Sequence, residues 1–271
     1  MKKLALLFLA VFLGLSATAQ ASEGFELTVK ITGYPEGEPL RLGRYHADQQ
    51  YFVDSAVFDK RRNVFVFEKA ERLDGGMYML ISFERTPAEF IIDQDQQFSI
   101  EMDYPFNATN VTEMKFKNSP ENQTYSEFNN SIRPLFVELN AMRREFDSLP
   151  DKQSPEAERL TQNMQELWKN LEDIRSKFML ENPKHLMTIS FQALREVEVP
   201  PAPDHIPENQ REHWRYNYYV NHYFDNMDLT DARLLRTPVT PGMPGSIYSQ
   251  RLETFLDKVL PPHPDSIKFT L

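Results

Sequence analysis

The chain has 271 residues, 41% hydrophobic and 12% aromatic, enough for more than one compact core. Its formal net charge of -10 argues against nucleic acid or anionic lipid surfaces as partners, because both need a basic face. It has no cysteine, hence no disulfide, thiolate metal ligand or thiol redox centre, and its 9 glycines against 19 prolines do not suit a glycine-rich phosphate-binding protein.

Met1 to Ala21 reads as a secretory signal peptide: Lys2 and Lys3, the apolar run Leu4 to Leu15, then the A-x-A patterns Ala17-Thr18-Ala19 and Ala19-Gln20-Ala21. The apolar run of 12 residues is short of the roughly 20 that span a bilayer, so the expectation is export without stable membrane insertion. A lipid anchor has no cysteine to carry it. Losing Lys2 and Lys3 leaves 28 basic residues against 40 acidic ones, a net charge of -12. The periplasm is the expected compartment, with the cell surface as the alternative.

From residue 22 to 117 the hydrophobic period is two. Phe25, Leu27, Val29 and Ile31 alternate with polar residues; Leu40 and Leu42, then Val64 to Phe67, repeat the pattern. Gly76 to Phe83 is a more continuous apolar run, followed by Phe90 to Asp93 and Phe98 to Met102. Turn signals at Tyr34 to Gly37, Asp59 to Asn63, Asp74-Gly75-Gly76 and Asp93 to Asp95 separate them. The pattern predicts seven or eight short strands in an antiparallel sandwich or barrel.

The period changes near Ser119, and residues 118–271 read as an all-helical domain, so the fold class is α+β. Ser119-Pro120-Glu121 and Ser154-Pro155-Glu156 are helix starts, with serine as N-cap and proline at the first helical position. Leu160, Met164, Leu167, Leu171, Ile174 and Phe178 follow a near-heptad spacing. Two long helices joined across Ser148 to Ser154 form an antiparallel hairpin, with Pro134 bending or interrupting the first. Asn182-Pro183 caps a helix through about Val197, and a proline-rich connector over 199–207 follows. Helices then run from Pro207 to about Asn226, from Asp231 to Arg236, and from Ser246 to Val259.

The densest stretch is Trp214 to Pro238. Asp225, Asp228 and Asp231 are spaced by three, without the central glycine and terminal glutamate of a calcium loop, so helix capping by Asp228 or Thr230 is the simpler reading. His222 and Asp225 share a helix face, which suits a metal, a proton relay or a hydrogen bond within an aromatic cluster. The tyrosines at 216, 218, 219 and 223 form a ligand platform or a packing stripe. No G-x-S-x-G elbow, glycine-rich phosphate loop or zinc-protease spacing is present, so no catalytic, metal or cofactor-binding residue is assigned. Glu166, Glu172 and Asp173 are a solvated helix face. Asp54-Ser55-Ala56, Asp147-Ser148-Leu149 and Asp265-Ser266-Ile267 have the short form of some bacterial O-glycosylation sites.

Phe25 to Gly33 followed by Asp54-Ser55 resembles the small β-domain that precedes thioredoxin-like domains in exported proteins of Bacteroidetes-type bacteria. His222 to Leu229, Arg233-Leu234-Leu235-Arg236-Thr237-Pro238 and His263 to Ile267 are similar to the helical domain that often follows it. The resemblance implies a thiol–disulfide oxidoreductase whose Cys-x-x-Cys domain is absent from these 271 residues, so no catalytic residue carries over. The resulting expectation is a non-enzymatic docking or positioning region, its partner being another protein or its own missing thioredoxin-like domain. The expected contact surface is Tyr216, Tyr219, His222, Tyr223, Asp225, Arg233 and Arg236. The alternative is a stand-alone binding module for a glycan, peptide or protein.

Overall fold

The computed structural model describes residues 24–106, 113–239 and 245–260. The signal-like leader and the His263 to Ile267 motif lie outside them. The fold is α+β: eight strands in two four-stranded sheets, then helices. One sheet has the order β4-β1-β7-β8, from β4 (Phe65–Lys69), β1 (Phe25–Thr32), β7 (Gln97–Asp103) and β8 (Lys115–Lys117). The other has the order β3-β2-β5-β6, from β3 (Gln49–Ala56), β2 (Leu40–His46), β5 (Gly76–Ile81) and β6 (Pro87–Ile92). All pairings are antiparallel except β1 with β7, which run parallel with Leu27 opposite Phe98 and Val29 opposite Ile100.

The period-two pattern fills the space between the sheets. Leu27 and Val29 from β1, Leu40 and Leu42 from β2, Phe65 and Phe67 from β4, and Phe98 and Ile100 from β7 all point into one buried cluster. Their neighbours Glu26, Thr28 and Lys30 face away and keep the outer face of the first sheet polar. Burying one face of each sheet is what a sandwich requires.

The second sheet differs, because both of its faces are covered. Along β5 the odd and even residues enter different cores: Tyr78 and Leu80 join the sandwich, whereas Met77 and Met79 join Tyr45, Ile91, Tyr125 and Leu186 on the other side. That is why Gly76 to Ile81 reads as a continuous apolar run, as strands covered on both faces do. Tyr125 and Leu186 come from the helical part, which thereby packs on the sheet.

Helix α1 (Pro120–Ser148) and helix α2 (Pro155–Glu181) form the expected hairpin. Ser154 caps α2, its hydroxyl accepting from the Ala157 N–H at 3.2 Å. Helix α1 continues through Pro134 without interruption, although the proline gives up the hydrogen bond of its own N–H. At about 1.5 Å per residue, α1 is roughly 43 Å long. Its base packs through Phe128 against Phe178 and Phe191, with ring centroids 4.6 and 5.5 Å apart.

Helix α3 spans Leu186–Ala193, shorter than the expected Asn182 to Val197. His185 caps it in place of Asn182, its Nδ1 accepting the Met187 N–H at 3.0 Å. Helix α4 spans Arg211–His222 and ends before the expected Asn226. Helix α5 (Ile247–Thr254) runs into a wider turn over Phe255–Val259.

The contact that seats the helices on the sheet edge is Asn122. Strand β6 has one free edge, and its Ile91 N–H and C=O point outward there. The Asn122 carboxamide satisfies both, accepting from Ile91 N at 2.7 Å and donating to Ile91 O at 2.7 Å. It also donates to Ser119 Oγ at 2.8 Å, and that hydroxyl donates to Asp95 at 2.9 Å. Ser119 is therefore at the N-cap position without capping through its side chain, because its hydroxyl is drawn into this junction. At Ile91 the strand edge is thereby closed to pairing with another chain.

Asn122→Leu removes both partners of a buried strand peptide and should cost about 2–4 kcal/mol, since each unsatisfied buried group costs about 1–3. Urea unfolding of the chain measures this, and a loss under about 0.5 kcal/mol would contradict the assignment.

Candidate functional site

The stretch from Trp214 to Pro238 divides into two parts. On α4, Trp214, Tyr218 and His222 recur every fourth residue and stack on one another. Their centroids are 5.4 and 4.1 Å apart with interplanar angles of 32° and 28°. His222 Nδ1 lies 2.6 Å from Asp225 Oδ2, as their shared face predicts.

Tyr216 and Tyr219 turn to the other side of α4. Tyr216 donates to the Val259 carbonyl at 2.9 Å, and Tyr219 donates to Glu196 at 2.9 Å. Burial and the Glu196 carboxylate push the Tyr219 phenol up to about 12. Tyr223 corrects the expectation of a contact surface, since it is 1% exposed and packs with Phe255, Val259 and Leu260. Arg251, which the sequence did not single out, lies 4.0 Å over the Tyr223 ring and donates to its carbonyl at 2.6 Å.

Arg233 and Arg236 are the second correction. They sit on a short 3₁₀ turn, Ala232–Arg236, which docks on the β-sandwich. Asp231 starts the turn, accepting from Arg233 N at 3.0 Å, while Asp228 accepts from Thr230 N at 2.8 Å. The cap is thus Asp231 in place of the expected Asp228 or Thr230, while Asp228 holds the preceding turn, and among the described residues no three His, Asp or Glu side chains gather to hold a metal ion.

The Arg233 guanidinium is gripped by Asp231 at 2.7 Å and by Asp93 at 2.6 Å. Arg236 donates to the Gly75 carbonyl at 2.6 Å, and Leu235 O accepts from Ala47 N at 2.7 Å. The glycine pair makes this approach possible. A Cβ on Gly75 would lie 2.5 Å from an Asp93 oxygen, and one on Gly76 would lie 2.5 Å from Arg236 Cβ. Asp74-Gly75-Gly76 is therefore a seat for the two arginines as well as a turn.

Where this turn, β6 and the starts of α1 and α3 meet, a cleft of about 890 Å³ opens, lined by Asp93, Asp95, Glu121, His185 and Arg233. Glu121 Oε1 accepts from Leu186 N at 3.1 Å, and His185 Nε2 lies 3.0 Å from the Glu121 carbonyl. With Nδ1 already accepting, Nε2 carries the ring proton and donates. Burial, with Asp93 and Asp95 nearby, pushes the Glu121 carboxyl up to about 6. Burial also lowers the His185 pKa. Perturbed groups in a cleft are candidates for chemistry. Here the bonding of both His185 nitrogens and of Glu121 Oε1 to backbone makes the cluster a tie between two helix starts.

Of the proposed glycosylation serines, Ser55 and Ser148 are exposed, and Ser266 lies outside the described residues. The sequence matches no protein-family model and no curated protein.

Two outcomes follow from the junction. Arg233→Met leaves Asp93 and Asp231 largely buried without a cation, and should cost about 3 kcal/mol in thermal unfolding, as breaking a buried pair does. A pH series of urea unfolding tests Glu121. A carboxyl raised from 4.5 to about 6 contributes stability that is full below 4.5 and lost as the pH rises through 6. Glu121→Gln keeps the acceptor for Leu186 and should be about 1–2 kcal/mol more stable than the parent above pH 6, with no gain below 4.5. His185 has the opposite sign: its contribution is present above 6.5 and lost as the pH falls through its lowered pKa.

Proposed function

We propose that the chain is an exported, non-catalytic scaffold that docks and positions a partner, the favoured partner being a thioredoxin-like domain of the kind its sequence resembles. The observation that carries this reading is the way the helices are fixed to the β-sandwich. Asn122, Arg233 and Arg236 bind the two parts through backbone groups and a buried ion pair, so the α1–α2 hairpin is held at a set angle.

The hairpin also presents apolar surface. Phe136 and Trp168 meet edge to face at 6.3 Å, and Val137 and Trp168 are 63% and 50% exposed. Exposed aromatic and branched side chains grouped on one element favour a protein contact. This flank replaces Tyr223, Arg233 and Arg236 as the contact surface, because those three are occupied within the chain. His222 and Asp225 remain on the α4 side as a second surface, whereas the Tyr216 and Tyr219 hydroxyls are held within the chain by Val259 and Glu196.

Photo-crosslinkers placed at Val137 and at Asn217 in the native cells separate the two surfaces. Capture of a protein bearing a Cys-x-x-Cys motif from Val137, reduced about tenfold by Trp168→Glu, is the expected result. Crosslinks from Asn217 alone, or products without that motif, would overturn the reading.

A further inference from the structure

At the foot of the hairpin lies a cavity of about 240 Å³ between α1, α2, α3 and the segments flanking Pro238 and Ile247. Its walls are largely apolar: Phe128 and Phe136 from α1, Leu171 from α2, Phe191 from α3, Leu194 just past its end, and Ile247. Protein interiors pack like organic crystals, and an apolar void forfeits the dispersion contacts of every group that lines it. A dry apolar cavity of only about 150 Å³ takes up benzene. This larger one therefore has room for a ring with a short side chain.

One charged side chain lines it, Arg175. The guanidinium lies 5.1 Å over the Phe191 ring. Its partner within the chain is Glu172 at 3.1 Å, an i,i+3 pair with side chains 40% and 58% exposed. Such a solvated pair contributes little and yields readily to a better-placed carboxylate, which a guanidinium can bind through two parallel hydrogen bonds. Tyr125 and Asn129 supply neutral polar groups at the same wall, and the Tyr125 phenol, pushed up to about 12 by burial, keeps its proton. Phe136 and Trp168 stand half-exposed beside the opening.

We propose that this cavity binds a small amphipathic carboxylate, with an aromatic ring or short alkyl chain among the phenylalanines and the carboxylate on Arg175. The site goes beyond the scaffold reading and does not depend on it.

The test is titration of the full mature chain with 4-phenylbutyrate and with uncharged 4-phenylbutanol, read by thermal shift and tryptophan emission. The acid should raise Tm by about 3 °C at saturation, since a ligand bound only to the folded state stabilises it. Trp168→Phe should remove the emission change and leave the Tm rise. Arg175→Met, which keeps the aliphatic stem, should weaken the acid about tenfold and leave the alcohol unchanged. Leu194→Trp, which fills the cavity from the end of α3, should abolish both. No shift with either compound up to about 10 mM, a generous limit for ligands this small, would overturn the proposal. So would an Arg175→Met chain that binds the acid as tightly as the parent, a result that stands whether or not Leu194→Trp folds.

Discussion

A single carboxamide completes the edge of the second sheet. Asn122 occupies both hydrogen-bonding groups of Ile91 as a neighbouring strand would, from the first turn of a helix. Buried peptide groups without partners are costly, so β6 can be a buried edge strand of this fold only while α1 stays in place. Met77, Met79 and Ile91, on the face beside that edge, depend on the same placement to be covered by Tyr125 and Leu186. The packing of the helices and the satisfaction of the sheet edge are therefore one constraint.

The second fastening lies at the other end of the junction and is electrostatic. Arg233 is clasped between Asp93 and Asp231 while Arg236 reaches the Gly75 carbonyl, and both depend on glycine backbone that admits their stems. Burial holds the two aspartate side chains at 11% and 13% exposure, where an uncompensated charge is expensive. Glu121 and His185 tie the two helix starts together beside it. Three kinds of contact thus converge on one seam, and the hairpin leaves it with the direction they set.

Much of the architecture was legible in the sequence because it is governed by local periodicity. Alternation from Phe25 to Ile31 placed a strand, and the Ser154-Pro155-Glu156 start placed α2 to the residue. The destination of the densest motif was not legible. Arg233 meets Asp93 across 140 residues and Arg236 meets Gly75 across 161, and no window on the sequence contains both partners. Asn122 looks like an ordinary polar residue of a first helical turn, and nothing nearby signals that it faces a strand. Tyr223 was misassigned for a related reason: aromatic density marks packing and recognition alike, and Phe255 and Arg251 decide between them. The one available signal was the Gly75-Gly76 pair, since adjacent glycines after a turn mark close backbone approach as well as chain reversal.

Native-state hydrogen exchange on the chain tests most directly whether sandwich and helices form one cooperative body. If the seam holds the sandwich and the helices together, the amides of Ile91, Met79 and Ala47 and those of α3 open in one cooperative step, at the free energy of global unfolding. If α3 and the base of the hairpin exchange at a markedly lower free energy while Ile91 and Met79 stay protected, the helices are not required by the sheet, and the account is wrong.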